Sequence, residues 1–188
     1  MLKNLDLDLL KNNKNWIVIL LIFILTIGIL RIFSGTNMPI TVVASSSMEP
    51  TIPTGSIVFI QKIEGSKIIV GDKPIGDIIV YKLPNTKVYD FFIFTIYDPP
   101  PILHRAINKV EIDGKYYILT KGDANFLPDF NQNNPRSWIS EDFVIGKLVW
   151  YVPYIGYLVL WLRNPLIIIG IVLFIIIIIL LPDKERKV

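Results

Sequence analysis

The chain has 188 residues, a formal charge of +3 and a hydrophobic fraction of 52%. That length suits one domain plus membrane segments, not two large domains, and the absence of cysteine excludes disulfides, zinc–thiolate sites and thiol chemistry. No P-loop, GxGxxG or HExxH pattern occurs, and the basic residues cluster beside apolar segments, which points to a lipid surface and away from nucleic acid.

Residues 1–15 mix Lys3, Lys11 and Lys14 with Asp6 and Asp8. The lysines favour a cytoplasmic N-terminal segment. "WIVILLIFILTIGILRIF", 16–33, follows. At about 1.5 Å per residue it reaches roughly 27 Å, enough to cross a hydrocarbon core as a first transmembrane helix. A cleaved signal peptide is the competing reading, but no small-x-small site follows Arg31-Ile32-Phe33.

Residues 34–160 read as β-rich. "MPITVVA", "SIVFIQKI", "GDIIVYKL" and "DFVIGKLVWYV" are apolar, β-branched runs. "ILHRAINKVEI" and "DGKYYILTKG" form a hairpin signal, with Asp113-Gly114 as the two-residue turn. The expectation is a mainly β protein, an antiparallel sheet or small barrel. Two stretches stand apart. In 83–101, the apolar "FFIFTIY" is either an edge strand or a segment dipping into the bilayer interface, and three prolines end it. Residues 124–138, "ANFLPDFNQNNPRSW", should be irregular.

"PLIIIGIVLFIIIIILLP", 165–182, predicts a second transmembrane helix, too uniformly apolar for a small core. Lys184, Arg186 and Lys187 in the tail 183–188 mark its end as cytoplasmic. Both termini then lie inside and the β-rich domain lies outside a cell membrane.

Candidate chemistry centres on "TVVASSSMEPT", 41–51, where an apolar run meets three serines and a proline-stiffened turn. A nucleophilic serine needs a base, and a histidine base needs a group that holds its tautomer. His104 is the one histidine in the chain, and alternation sends it and Arg105 to opposite faces of a strand. Asp123 in "TKGDAN" and Asp129 in "LPDF" are the available acids. Each signal alone has a plain structural reading as a turn or a satisfied strand histidine.

Taken together, "SSSMEPT", "GSIVFI", "GDIIVY", "HRAI", "LTKGDAN" and "VWYVPYIGY" resemble the signal peptidase I family, in the order and spacing of its archaeal and endoplasmic-reticulum branch. The likeness runs from about residue 40 to 157. It implies that Ser47, directly before Met-Glu-Pro, is the nucleophile. His104 stands where the bacterial branch has a lysine, so a Ser-His mechanism is implied, with Asp123 and Asp129 as the functional aspartates. We favour Asp129 over Asp123 as the partner of His104. The backbone of Ser47 and, by resemblance, the hydroxyl of Ser45 are candidate oxyanion donors. Ser46 occupies a place where the family usually has a small residue such as glycine.

The resemblance further implies a membrane-bound serine endopeptidase that removes signal peptides from secretory preproteins beside the translocation machinery, without cofactor or metal. Two alternatives are a Ser-Lys dyad using Lys109 or Lys121, which would need a desolvated lysine, and a non-catalytic membrane-anchored β-domain acting as a scaffold or substrate-handling subunit.

Overall fold

A computed structural model describes residues 2–91 and 94–180. The tail 183–188 and the last two residues of the 165–182 segment lie outside the described residues. Helix α1 runs Leu2–Ser34. Its window Ile17–Ser34 has a mean hydropathy of 2.8, and none of it is buried against the rest of the chain. Among the described residues it is the one helix long and apolar enough to cross a membrane, and it fits a membrane anchor.

The domain that follows is mainly antiparallel β. Seven strands form one sheet in the order β1 (Ile40–Val42), β2 (Ile57–Gln61), β9 (Val144–Val152), β3 (Ile78–Tyr81), β6 (Ile102–Ile112), β7 (Lys115–Lys121) and β8 (Ile139–Ser140). Its edge strands β1 and β8 are not paired with each other, so the sheet is open and not a closed barrel.

Strand β3 shows why its sequence is apolar without alternation. Ile78 and Val80 join a core with Val43, Met48, Ile52, Val58 and Ile60. Ile79 and Tyr81 join a second core with Ile68, Ala106, Ile118 and Ile139. A strand covered on both faces has no solvent side to mark with polar residues. The Asp113-Gly114 turn forms as its sequence predicts, with φ of 53° and 76° at the two positions. Both lie in the left-handed region that a two-residue hairpin turn needs.

The 83–101 stretch is not an edge of this sheet. Strands β4 (Lys87–Asp90) and β5 (Thr95–Asp98) pair only with each other, in a separate two-stranded ribbon. Pro99, Pro100 and Pro101 then lead into β6, and they lack the N–H groups that would extend the pairing. In the 124–138 loop one short 3₁₀ turn, Pro135–Ser137, interrupts irregular chain. After β9 come two helices, α2 (Tyr157–Leu162) and α3 (Pro165–Leu180). The chain is therefore already helical before residue 160, where the β-rich segment was expected to end.

Candidate active site

Strand register assembles one half of the site. Ile79 of β3 pairs with His104 of β6, and Tyr81 pairs with Ile102. Ala106 pairs with Thr120 of β7. Paired residues share a face and every second residue returns to it. Tyr81, His104 and Thr120 therefore project from three adjacent strands onto one face. Asp129 reaches that face from the loop after β7, where its N–H donates to the Thr120 carbonyl at 2.9 Å.

The carboxylate oxygen Oδ2 of Asp129 is the focus of this face. It lies 2.6 Å from His104 Nδ1, accepts from Thr120 Oγ1 at 2.6 Å, and accepts from the Tyr81 hydroxyl at 3.0 Å. Burial pushes the Tyr81 phenol well above its usual range, Thr120 opposes this, and the Asp129 charge adds to it. Tyr81 thus stays a donor. A carboxylate only accepts, so the contact with His104 requires a proton on Nδ1 and leaves Nε2 with its lone pair.

That lone pair meets Ser47. His104 Nε2 and Ser47 Oγ are 2.9 Å apart, and Ser45 Oγ is 3.2 Å from Ser47 Oγ. Ser47 opens the turn after β1, and buried Met48 pins it to the core. The turn is closed by the Ile52 N–H on the Met48 carbonyl at 2.9 Å and by Glu49, whose Oε1 accepts from Thr54 N and Oγ1. Those Thr54 bonds hold the Glu49 carboxyl below its usual range. Ser46 is not among the residues with positive φ. Its Cβ therefore carries no backbone strain in the place where glycine is usual.

The 122–124 turn braces Ser47 from behind. The Ala124 N–H donates to the Ser47 carbonyl at 2.9 Å. Here glycine is required by space: a Cβ on Gly122 would stand 2.6 Å from the Ser47 carbonyl oxygen.

Asp123, on this turn, does not meet His104. It accepts from Arg105 Nε at 2.7 Å and Nη2 at 2.6 Å, and from the Thr51 hydroxyl. Arg105 Nη1 donates to the Gly76 carbonyl at 2.6 Å. The pair is almost fully enclosed, with side-chain exposures of 5% and 3%. His104 and Arg105 do face opposite ways, so adjacent residues hold two different aspartates. Burial raises the Asp123 carboxyl, but the bonds from Arg105 and Thr51 and the charges of Arg105 and Lys73 outweigh it, and the net direction is down.

This has a measurable consequence. A carboxylate whose folded pKa is depressed adds stability that is fully present above its unfolded value of about 3.9. The stability is lost as the pH falls through the lower folded value. Asp123→Asn strands the buried guanidinium and is expected to cost about 3–5 kcal/mol. Urea unfolding of the wild type should therefore weaken with acid in that window, and the variant should lack this component.

Lys109 is bonded to the carbonyls of Ser66 and Ile68 at 2.6 and 2.8 Å, and its ammonium has no contact with Ser47. Lys121 lines a separate pocket with Arg105 and Asp123. A cleft of about 410 Å³ opens in front of Ser47 and His104, walled by Val42, Ala44, Pro100 and Leu103. Tyr81, Thr120 and Thr51 were not singled out from the sequence. Thr120 is three residues before Asp123 and nine before Asp129, but only strand register reveals that it and Tyr81 share the face of His104.

A hydroxyl, an imidazole and a carboxylate in contact order, set in a β-domain beside an apolar cleft, have the arrangement of a serine hydrolase. Residues 13–118 match the family model described as "Signal peptidase, peptidase S26", a stretch that contains Ser47 and His104 and ends before the two aspartates. The chain is 30% identical over 159 residues to the signal peptidase complex catalytic subunit SEC11 of Plasmodium falciparum, covering 84% of this chain and 76% of the relative. It is 31% identical over 150 residues to the protein of the same description in Schizosaccharomyces pombe, covering 72% of each. With the Dictyostelium discoideum counterpart it shares 33% identity over 129 residues, 68% of this chain and 62% of the relative. The chain belongs to the signal peptidase I family, peptidase S26, of the archaeal and endoplasmic-reticulum type, and is a serine endopeptidase.

Proposed function

We propose that this protein is a membrane-anchored signal peptidase that removes N-terminal signal peptides from secretory preproteins by a Ser-His-Asp mechanism. The observation that carries the reading is the single imidazole in contact with Ser47 on one side and Asp129 on the other.

In this reading Ser47 Oγ attacks the scissile carbonyl while His104 Nε2 takes its proton. The imidazolium is stabilised by Asp129 and returns the proton to the leaving amine; a water then repeats the sequence to release the acyl group. Asp123 does no chemistry. It locks Arg105, Thr51 and the 122–124 turn against the back of Ser47.

The Ser47 N–H makes no hydrogen bond to a described residue and is available for the developing oxyanion. Ser45 Oγ, beside Ser47 Oγ, is the second donor. Losing one such donor costs about 100- to 1,000-fold in kcat, so Ser45→Ala is expected to be slow yet measurable. An unimpaired Ser45→Ala enzyme would remove this hydroxyl from the oxyanion hole.

The substrate binds extended. Strand β1 is paired on one side only, so its free edge can take an added strand that leads into the cleft at Ser47. Two helices anchor the enzyme, α1 and a second span over 165–182. The termini are cytoplasmic and residues 34–160 lie outside, in a cell membrane shared with the precursor. Sharing the bilayer raises the effective concentration of substrate. The relatives are named as catalytic subunits of a complex, and the translocation machinery is the expected neighbour of this chain. The test is incubation of the purified full chain in detergent with a signal-peptide-bearing precursor, with the N-terminus of the product sequenced. Intact precursor after prolonged incubation would refute the proposal.

A further inference from the structure

Helix α2 leaves the domain beside strand β1. The Gly156 N–H donates to the Gly55 carbonyl at 2.8 Å, and a Cβ on Gly156 would stand 2.6 Å from Val42 Cγ1. From that close start α2 runs along the free edge of β1. Val159 of α2 and Arg163, directly after it, line a groove of about 630 Å³ with Thr41 and Val42.

This groove adjoins the cleft in front of Ser47 and His104. Thr41, Val42 and Arg163 line both, and among the described residues they are the ones that do. The two cavities are otherwise without permanent charge: of the described residues that line them, Arg163 alone carries one. Arg163 is exposed, and its side chain makes no hydrogen bond or ion pair to a described residue. A cation that is always protonated thus stands beside the path of the substrate with its five donors unused by the described fold.

The geometry also says which part of a substrate it meets. Ile27 and Leu30 of α1 line the outer groove, so this end faces the bilayer if α1 is the anchor. A signal peptide comes from the bilayer and precedes the cut, so the groove takes the residues before the scissile bond. Ser45 Oγ is 3.2 Å from Ser47 Oγ, which puts Ser45 level with the last residue before the cut. Val42 and Thr41 are three and four residues further from the site. A precursor extended beside them, with the same rise of about 3.3 Å per residue, presents its fourth and fifth residues before the cut at the level of Arg163.

We propose that Arg163 is a specificity-determining residue that selects precursors by the charge of those two residues, favouring a carboxylate and disfavouring an ammonium. The inference rests on the signal peptidase reading above. Water solvates the guanidinium in the free enzyme. A precursor lying on β1 covers it and removes part of that water. A carboxylate there pairs with the guanidinium, whereas a lysine is held against a like charge in an apolar channel, where screening is weaker than in bulk water.

The test is a charge exchange between enzyme and substrate. Precursors carrying Glu, Gln or Lys at the fourth residue before the cut, and a second set at the fifth, are cleaved by the full chain in a non-ionic, phosphate-free detergent. The wild type, Arg163→Gln and Arg163→Glu are compared by the ratio of kcat/KM between precursors, so a general change in activity cancels. The wild type is expected to favour Glu over Lys by about fivefold, the scale of an exposed ion pair. Arg163→Gln should level the series and Arg163→Glu should invert it. A wild type indifferent to charge at both positions would overturn the proposal; that is the result expected if the guanidinium serves lipid phosphate instead. A preference that persists unchanged in Arg163→Gln would also overturn it. A wild type that cleaves no precursor would remove the peptidase reading and this inference together, whereas cleavage without a charge preference removes the inference alone. Should Arg163→Glu not fold, Arg163→Gln carries the test.

Discussion

Ser47→Ala is expected to abolish precursor cleavage, with a loss of about 10⁶-fold in kcat by analogy with the removal of the nucleophile from other triad enzymes. The fold should survive. Among the described residues Ser47 Oγ hydrogen-bonds only to His104 and Ser45, and a hydrogen bond of this kind is worth about 1 kcal/mol. A further expectation separates a catalytic unit from a set of independent residues: groups that act together are strongly non-additive. His104→Ala added to Ser47→Ala should therefore cost almost nothing more. Single-turnover cleavage of a radiolabelled precursor measures both variants. A Ser47→Ala protein that cleaves at the wild-type rate would sink the nucleophile assignment.

Asp129→Asn is expected to lower kcat by about 10⁴-fold while leaving the protein folded. The reason lies in the three donors that converge on Oδ2. Tyr81 and Thr120 are hydroxyls that accept as well as donate, so they tolerate an amide nitrogen in the place of Oδ2. That nitrogen donates to His104 Nδ1, the third group that meets this position, which moves the ring proton to Nε2. A protonated Nε2 cannot take the Ser47 proton. Asp123→Asn should show the opposite pattern, with a large loss of stability and a smaller loss of turnover at temperatures where it remains folded. The pair of variants, followed by both unfolding and cleavage, decides the roles. Near-normal turnover of Asp129→Asn beside a folded but inactive Asp123→Asn would reverse them.

Much of the β-domain is legible in the sequence because its signals are local. The Asp113-Gly114 turn, the β-branched runs of β2, β3 and β9, and the prolines after Asp98 each act through the conformational limits of a few residues. The 83–101 stretch was harder. Its apolar run suits an edge strand and an interfacial segment equally well, and Arg31, about 60 residues away, holds it as a ribbon against α1. A long-range charged contact leaves no mark on local periodicity.

The site divides in the same way. Composition and motif order, with no cysteine, one histidine and a Ser-Ser-Ser-Met-Glu-Pro turn, were enough to narrow the chemistry and to indicate the family. The opposite facing of His104 and Arg105 follows from strand alternation alone. What alternation cannot supply is which strand lies next to which. The pairing of β3 with β6 and of β6 with β7 brings Tyr81 and Thr120 to the face of His104. The loop after β7 then puts Asp129 on that face, while the turn at Asp123 meets Arg105 on the other. The sequence by itself determined the inventory of reactive groups, the apolar helix and the turns, because these depend on residue identity and short spacing. Tertiary structure alone decided which aspartate faces the imidazole, because that depends on register between strands far apart in the chain.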